Sequence, residues 1–123
     1  MKVAVTAMGS DMTSDVDMRF GRAKWFILHD EETQQTEAHA NDQNVDSAQG
    51  AGIQAARQIS DAGAAVLITG NIGPNAFRVL QAAAVRMFKI ERWKTPTVTD
   101  ALKAWRRGDL EQIGEATKER HWI

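Results

Sequence analysis

The chain has 123 residues, which is enough for one domain with a hydrophobic core that needs no covalent staple. Its 15 Lys and Arg residues are balanced by 16 Asp and Glu residues, so it lacks the excess positive charge typical of nucleic-acid-binding domains. The absence of cysteine excludes disulfides, zinc–thiolate sites and cysteine-held iron–sulfur clusters. No segment approaches the roughly 20 apolar residues of a membrane span, and the N-terminal apolar run is shorter than that of a signal peptide. We therefore expect a cytoplasmic protein that binds neither nucleic acid nor a membrane.

The first part of the chain predicts three strands. Residues 2–8 ("KVAVTAM") form a short apolar run that ends at Gly9, as is typical of a buried strand leading into a loop. Residues 23–30 and 35–40 predict an antiparallel hairpin whose second strand is polar enough to be a sheet edge. The polar loop 9–22 connects the first strand to this hairpin.

The rest of the chain predicts helices that alternate with strands. A helix from about Ser47 to Ala62 precedes the continuously apolar strand 64–70, and a second helix that begins at Pro74 precedes the strand 85–91. The third helix covers 98–105.

The ends of these helices carry the residues expected there. Gly63 stands where a C-terminal glycine is favoured, and Gly108 ends the third helix. Either Thr97 or Thr99 caps the third helix at its start.

This order of elements predicts an α/β fold with a mixed five-stranded sheet and helices on both faces. Residues 1–108 form one domain, and residues 109–123 form a polar C-terminal tail. Ligands bind such sheets at the carboxyl ends of the strands, and the loops 9–22 and 70–75 have that position.

The loop 70–75 ("GNIGPN") offers an anion site. Gly70 and Gly73 allow the backbone to approach a ligand closely, and Pro74 starts a helix whose N-terminal N–H groups favour negative charge. The loop lacks the lysine of a nucleotide-binding P-loop, so ATP chemistry is not indicated. An ordinary strand-to-helix turn remains an alternative. The segment 47–56 ("SAQGAGIQAA") also brings glycines to a helix start, but an ordinary helix entry explains it more simply.

The loop 9–22 contains both acidic and basic residues. Asp11, Asp15 and Asp17 are candidate ligands for a hard cation, but their spacing does not match an EF-hand, and the first strand has no acid for a two-metal nuclease. Arg19 and Arg22 instead suggest that the loop donates hydrogen bonds to an anion. The ring of Phe20, which lies between them in the sequence, would then shield the ligand from water. Ion pairs between these arginines and the aspartates are the alternative.

Thioether and imidazole groups give weaker signals. Met8, Met12 and Met18 bracket the loop 9–22 and have the soft sulfur that suits Cu(I), although packing is the better interpretation. The three histidines are scattered, and the chain has no nucleophile elbow of an acyl-transfer hydrolase. Acyl-transfer hydrolysis is therefore not indicated.

Three segments together resemble the dinitrogenase iron–molybdenum cofactor biosynthesis family. They are "DMRFGRAKWF" (17–26), "QGAGIQAA" (49–56) and "TGNIGPNAFRVLQAAAV" (69–85). The resemblance implies a single-domain, ribonuclease H-like fold that binds or assembles a metal–sulfur cofactor and is not an enzyme. The lack of cysteine and the closing "HW" are most similar to members that hold a molybdenum–copper sulfide cluster non-covalently, although another molybdenum–sulfur cofactor is also compatible.

By this resemblance the cofactor-binding positions lie in three loops. They are Arg19, Phe20, Gly21 and Arg22 in the first, Gly70, Asn71, Ile72, Gly73 and Asn75 in the second, and Gln49, Gly50 and Gly52 at a third edge. Asn71 departs from the family, which often has glycine there, and the strand 85–91 lacks the glycine that often precedes it.

The leading hypothesis is a carrier of an anionic molybdenum-containing cluster, acting in storage, delivery or assembly. A second hypothesis is an enzyme or sensor that binds a nucleotide or another phosphorylated small molecule at the same helix N-termini. A third is an adaptor whose loops contact an ATPase or assembly protein.

Overall fold

The computed structural model describes residues 1–41, 51–91 and 93–114, with six strands and three helices along these ranges. The strands are β1 (Lys2–Ala7), β2 (Trp25–Asp30), β3 (Thr36–Ala40), β4 (Ala64–Thr69), β5 (Arg86–Lys89) and β6 (Glu111–Gln112). The helices are α1 (Ala51–Asp61), α2 (Pro74–Ala82) and α3 (Val98–Arg106). Among the described residues, no helix is both long and apolar enough to cross a membrane.

The strands form one mixed sheet in the order β3-β2-β1-β4-β5-β6. The central strands β1, β4 and β5 are parallel, whereas β2, β3 and β6 pair antiparallel to their neighbours. The predicted α/β class and mixed sheet are confirmed. The carboxyl ends of the three parallel strands therefore meet at one edge, which we call the carboxyl edge.

The predicted count of five strands is wrong, because the segment assigned to the polar tail contains β6. This two-residue strand pairs with β5, and the Ile113 backbone N–H that follows it donates to the Met87 carbonyl at 2.8 Å. The Ile113 side chain is buried in the core. A strand this short has no hydrophobic periodicity, so its sequence gives no signal for it. The rest of the predicted tail, residues 115–123, lies outside the described residues.

Each face of the sheet has its own hydrophobic core, as the prediction of helices on both faces requires. Alternate residues of a strand point to opposite faces, so Ala4 and Leu67 pack with α1 and α2, while Val5 and Ile68 pack with α3. The sheet is thus the middle of three layers, and its buried strands fix where the loops at the carboxyl edge begin.

Most helix ends agree with the sequence prediction. Gly63 and Gly108 have φ values of +90° and +77°, the left-handed conformation that favours glycine. Thr97, one of the two predicted caps, accepts a hydrogen bond from the Asp100 N–H at 3.2 Å. Helix α2 ends at Ala82, so Ala84 lies beyond it. The predicted helical turn at 47–50 lies outside the described residues.

Candidate functional site

Residues 14–20, which we call the edge segment, lie along the carboxyl edge. The Asp17 N–H donates to the Thr6 carbonyl at 2.9 Å, which holds the edge segment against the end of β1. The Val16 N–H donates to the Pro96 carbonyl at 2.9 Å, which joins the same segment to the loop between β5 and α3. The loops that follow β1 and β5 are therefore one hydrogen-bonded unit.

The loop after β4 joins this unit through direct backbone contacts. The Asn71 N–H donates to the Met18 carbonyl at 2.6 Å, and the Phe20 N–H donates to the Asn71 carbonyl at 3.1 Å. A Cβ at Gly70 would clash with the Met18 carbonyl oxygen and lie 2.8 Å from both the Cα and the carbonyl carbon of Met18. Only glycine permits this approach. Position 70 therefore requires glycine because the two loops touch there.

Two buried threonines fix the base of the site. The Thr6 hydroxyl donates to the Asp17 carbonyl at 2.6 Å, and its oxygen lies 2.8 Å from the Thr69 hydroxyl oxygen. These residues are near or at the ends of β1 and β4, and both are fully buried. Sequence reasoning missed them, although a polar residue near the end of an otherwise apolar strand is a signal that could have found them.

Arg19 is exposed at the carboxyl edge and is oriented by a buried acid. The Asp17 carboxylate accepts hydrogen bonds from the Arg19 backbone N–H at 3.0 Å and from its Nε at 3.3 Å. Asp17 is buried, whereas the Arg19 side chain is 58% exposed. Arg19 Nη2 also donates to Asp17 Oδ2 at 3.5 Å, so the ion pair considered as an alternative is present for this pair. The 58% exposure of the Arg19 side chain leaves part of it open to solvent.

Asp11, like Asp17, makes local hydrogen bonds within the loop 9–22. Asp11 Oδ1 accepts from the Thr13 N–H at 2.9 Å and from the Thr13 hydroxyl at 2.6 Å, and these bonds, with help from Ser14, lower the pKa of the Asp11 carboxyl. Within the described ranges, no three His, Asp or Glu side chains are grouped so that they could hold a metal ion.

The N-terminus of α2 lies in the loop after β4. Gly73 is the N-cap, Pro74 is the first helical residue, and no side chain caps this end. The first helical hydrogen bond runs from the Phe77 N–H to the Gly73 carbonyl at 3.0 Å, so the N–H groups of Asn75 and Ala76 have no acceptor within the helix. With the positive end of the helix dipole, these groups favour an anion.

The structure gives several predicted residues a structural role. The Phe20 ring lies in the core, with its centroid 5.8 Å from that of Phe26, so it cannot shield a ligand at the surface. Ile72 is also fully buried. A Cβ at Gly52 would lie 3.1 Å from the Cβ of Ala76, which places Gly52 at the contact between α1 and α2.

The remaining predicted positions have varied placements. The Gly21 carbonyl accepts from the Asn41 side-chain amide at 3.2 Å, and Arg22 is exposed. Gln49 and Gly50 lie outside the described residues. The structure therefore brings together the loops that carry Arg19 and Asn71, while the third predicted edge is described only from residue 51 onward.

A comparison with models of protein families identifies a match over most of the chain. The family model described as "Dinitrogenase iron-molybdenum cofactor" matches residues 1–108. A comparison with curated proteins found no match.

Solved structures support the same relationship. The apo form of the orange protein from Desulfovibrio gigas is 36% identical, with a TM-score of 0.88 over 94% of this chain and 95% of that one. A Thermotoga protein described as NifB-like and placed in the DUF35 family is 35% identical, with a TM-score of 0.83 over 96% and 97% of the two chains. The crystal structure of PH0822 is 24% identical with a TM-score of 0.69, over 93% of this chain and 97% of that one, and it shows the fold alone.

Proposed function

Since the chain belongs to the dinitrogenase iron-molybdenum cofactor family, we propose that it binds and carries an anionic, molybdenum-containing metal–sulfur cluster at its carboxyl edge. The observation that carries the proposal is the direct pairing of the edge segment with the loop after β4. This pairing places the Arg19 backbone beside that of Asn71, two residues before the uncapped N-terminus of α2.

The chemistry of these groups suits such a cargo. A metal–sulfide cluster brings its own sulfide ligands, so a protein without cysteine need supply only cations, N–H donors and apolar contacts. The exposed guanidinium of Arg19 and the N–H groups of Asn75 and Ala76 provide the first two. Arg22 adds a second exposed cation three residues after Arg19.

The metal composition of the proposed cargo is inferred from the resemblance of the sequence to particular members of the family. The absence of cysteine and the closing "HW" favour a molybdenum–copper sulfide cluster held non-covalently. The ribonuclease H-like assignment of the fold and a non-enzymatic role in cofactor storage, delivery or assembly belong to the same proposal. An assembly protein or ATPase in the cytoplasm is the partner that such a role implies.

Anaerobic titration of the apo-protein with tetrathiomolybdate and Cu(I) tests the proposal. We expect visible charge-transfer bands that saturate at a fixed stoichiometry. The double variant Arg19→Ala and Arg22→Ala weakens binding about a hundredfold or more, because each of the two lost charge-assisted hydrogen bonds contributes about 1.5–3 kcal/mol. Unchanged spectra on addition to the wild-type protein would contradict the proposal.

A matched control is Arg86→Ala. Arg86 is an exposed arginine at the start of β5, and its backbone therefore lies at the opposite edge of the sheet. We expect this variant to bind like the wild type. Equal weakening by the control and by the double variant would show a general charge effect and no site at the carboxyl edge.

A second candidate function is suggested by the uncapped N-terminus of α2, which also suits a phosphate group. In that case a nucleotide or another phosphorylated small molecule would stabilise the protein without any metal. A thermal-shift screen with nucleotides separates the two functions, since the cluster carrier is stabilised by thiomolybdate and copper and is unaffected by nucleotide alone.

A further inference from the structure

Exposed apolar side chains concentrate at the carboxyl edge. Within the described ranges, three large hydrophobic residues have a substantial exposed fraction: Met1 at 46%, Met8 at 41% and Trp93 at 80%. Met8 directly follows β1 and Trp93 lies in the loop after β5, so two of the three occupy the carboxyl edge. At 80% exposure, the Trp93 side chain leaves a large apolar surface available for binding.

The turn that carries Trp93 is well anchored. The Thr95 N–H and hydroxyl both donate to the Glu91 carbonyl, at 2.9 and 3.0 Å, and the Lys94 N–H donates to the same carbonyl at 2.9 Å. Thr95 is buried, and Lys94 Nζ lies 3.1 Å from Glu91 Oε2. The residues Glu91, Lys94 and Thr95 near Trp93 are thus joined by hydrogen bonds, while the Trp93 side chain itself is exposed.

The same loop is hydrogen-bonded to both halves of the candidate site. The Ile90 N–H donates to the Thr69 carbonyl at 2.8 Å, next to Gly70. At its other end the loop forms a bridge between Thr97 and Asp15, four residues before Arg19. The turn of Trp93 thus connects the end of β4 to the edge segment.

We propose that Trp93 is the apolar wall of the cargo site and packs its indole ring against the sulfide face of the cluster. This inference rests on the proposed function. Sulfide ligands are large and polarizable, so a flat aromatic ring gains dispersion contact with them, and its N–H can donate a hydrogen bond. The sequence assigned the apolar contact to Phe20, whose ring is buried in the core. Trp93 provides an exposed aromatic ring for this apolar contact, which the buried Phe20 ring cannot provide.

Anaerobic titration of Trp93→Ala and Trp93→Phe with tetrathiomolybdate and Cu(I) tests the inference. Trp93→Ala weakens binding about tenfold, and Trp93→Phe keeps most of the affinity because the ring contact remains. The melting temperature of the apo-protein stays unchanged, since the ring is exposed. Trp105→Phe is the matched control: Trp105 packs in part against the α3-side core, and its replacement leaves affinity unchanged.

Intrinsic fluorescence gives an independent readout. Metal–sulfide absorption quenches a tryptophan in contact with the cluster, so the wild type loses emission on loading and Trp93→Phe loses a smaller part of it. Equal affinity and equal quenching in Trp93→Ala and the wild type would overturn the inference and leave the proposed function intact. Absence of binding to the wild-type protein would instead contradict the proposed function, and the inference with it.

A third result would show that the Trp93 indole binds a protein partner and not the cluster. If Trp93→Ala kept full affinity for the cluster but lost the binding of a purified assembly protein, the indole would be a protein contact and the inference would be wrong.

Discussion

Gly70 decides at the level of a single residue whether the two loops of the site can meet. In Gly70→Ala the new Cβ would overlap the Met18 backbone, which cannot move aside as a flexible side chain can. We expect a loss of about 2 kcal/mol in the free energy of unfolding, as for other overpacked positions. Urea unfolding followed by circular dichroism measures it.

The control for this substitution is Gly114→Ala. A Cβ at Gly114 meets nothing within 4 Å, so its free energy of unfolding should change by less than about 0.5 kcal/mol. Equal unfolding free energies for the two variants would contradict the close contact between Gly70 and Met18.

Individual residues of the site were only partly predictable from the sequence. The positions of Arg19 and Asn71 in neighbouring loops follow from which strands are parallel, and the structure brings their backbones together. The burial of Phe20 depends on which side of the edge segment faces the core, and that is set by backbone bonds to Thr6 and Pro96 that no local pattern encodes. The binding roles of these residues stay predictions.

At the level of elements, β6 is the part of the fold that the sequence did not reveal. Ile113 follows this strand and packs in the core beneath α1 and α2. We expect Ile113→Ala to lower the free energy of unfolding by about 2 kcal/mol, because it leaves a cavity beside Met87 and Val85. Denaturant unfolding measures the loss.

The neighbouring Gln112 provides the comparison. Its side chain is exposed in the same strand, so Gln112→Ala should change the free energy of unfolding by less than about 0.5 kcal/mol. If both variants unfolded at the same denaturant concentration, residues 111–113 would belong to a tail and not to the sheet.

Long elements were predictable because their patterns are strong. The apolar run of β4 and the glycine at position 63 mark a buried strand after a helix, and both are present as expected. The end of α2 was harder to place, because three consecutive alanines at 82–84 are compatible with more helix. Ala84 instead adopts a φ of +60° and turns the chain toward β5.

At the level of the whole molecule, an ion pair joins the turn after β2 to the end of α3. Arg106 Nε and Nη2 each donate to a Glu31 carboxylate oxygen at 2.7 Å, and His29 Nε2 lies 3.3 Å from the same carboxylate. The hydrogen bond from Arg106 is the largest cause that lowers the pKa of Glu31, and the same bond raises the pKa of Arg106. The pair connects the sheet to a helix 75 residues later in the chain.

This pair makes stability depend on pH in a defined direction. A lowered pKa means that the folded protein holds the Glu31 carboxylate charged, so its contribution is complete above the unfolded value of 4.5 and is lost as the pH falls through the folded value. Glu31→Gln should therefore lower the free energy of unfolding by about 1 kcal/mol at neutral pH, a modest amount because Arg106 is 40% exposed. Urea unfolding at neutral pH and near pH 3 measures the difference.

The expected result is a gap between wild type and Glu31→Gln that narrows as the pH falls. Glu111→Gln, at an exposed position of β6, is the control and should show no gap at either pH. A gap for Glu31→Gln that stayed constant down to pH 3 would contradict the role of the charged pair.

The overall architecture was predictable from the alternation of strands and helices, which permits few topologies. The path of the edge segment was not predictable, because it is fixed by contacts to β1 and to the loops after β4 and β5. That path creates the candidate site, so the structure was needed to see that Trp93 and Arg19 share one edge.

The most direct test of the central claim is amide chemical-shift mapping of ¹⁵N-labelled protein during anaerobic addition of tetrathiomolybdate and Cu(I). The account predicts that the amides of residues 16–22, 70–73, 75–76, 93–95 and 97 shift together and saturate at one stoichiometry. Shifts centred on Gly63 and Arg86, at the opposite edge of the sheet, or no shifts at all, would contradict it.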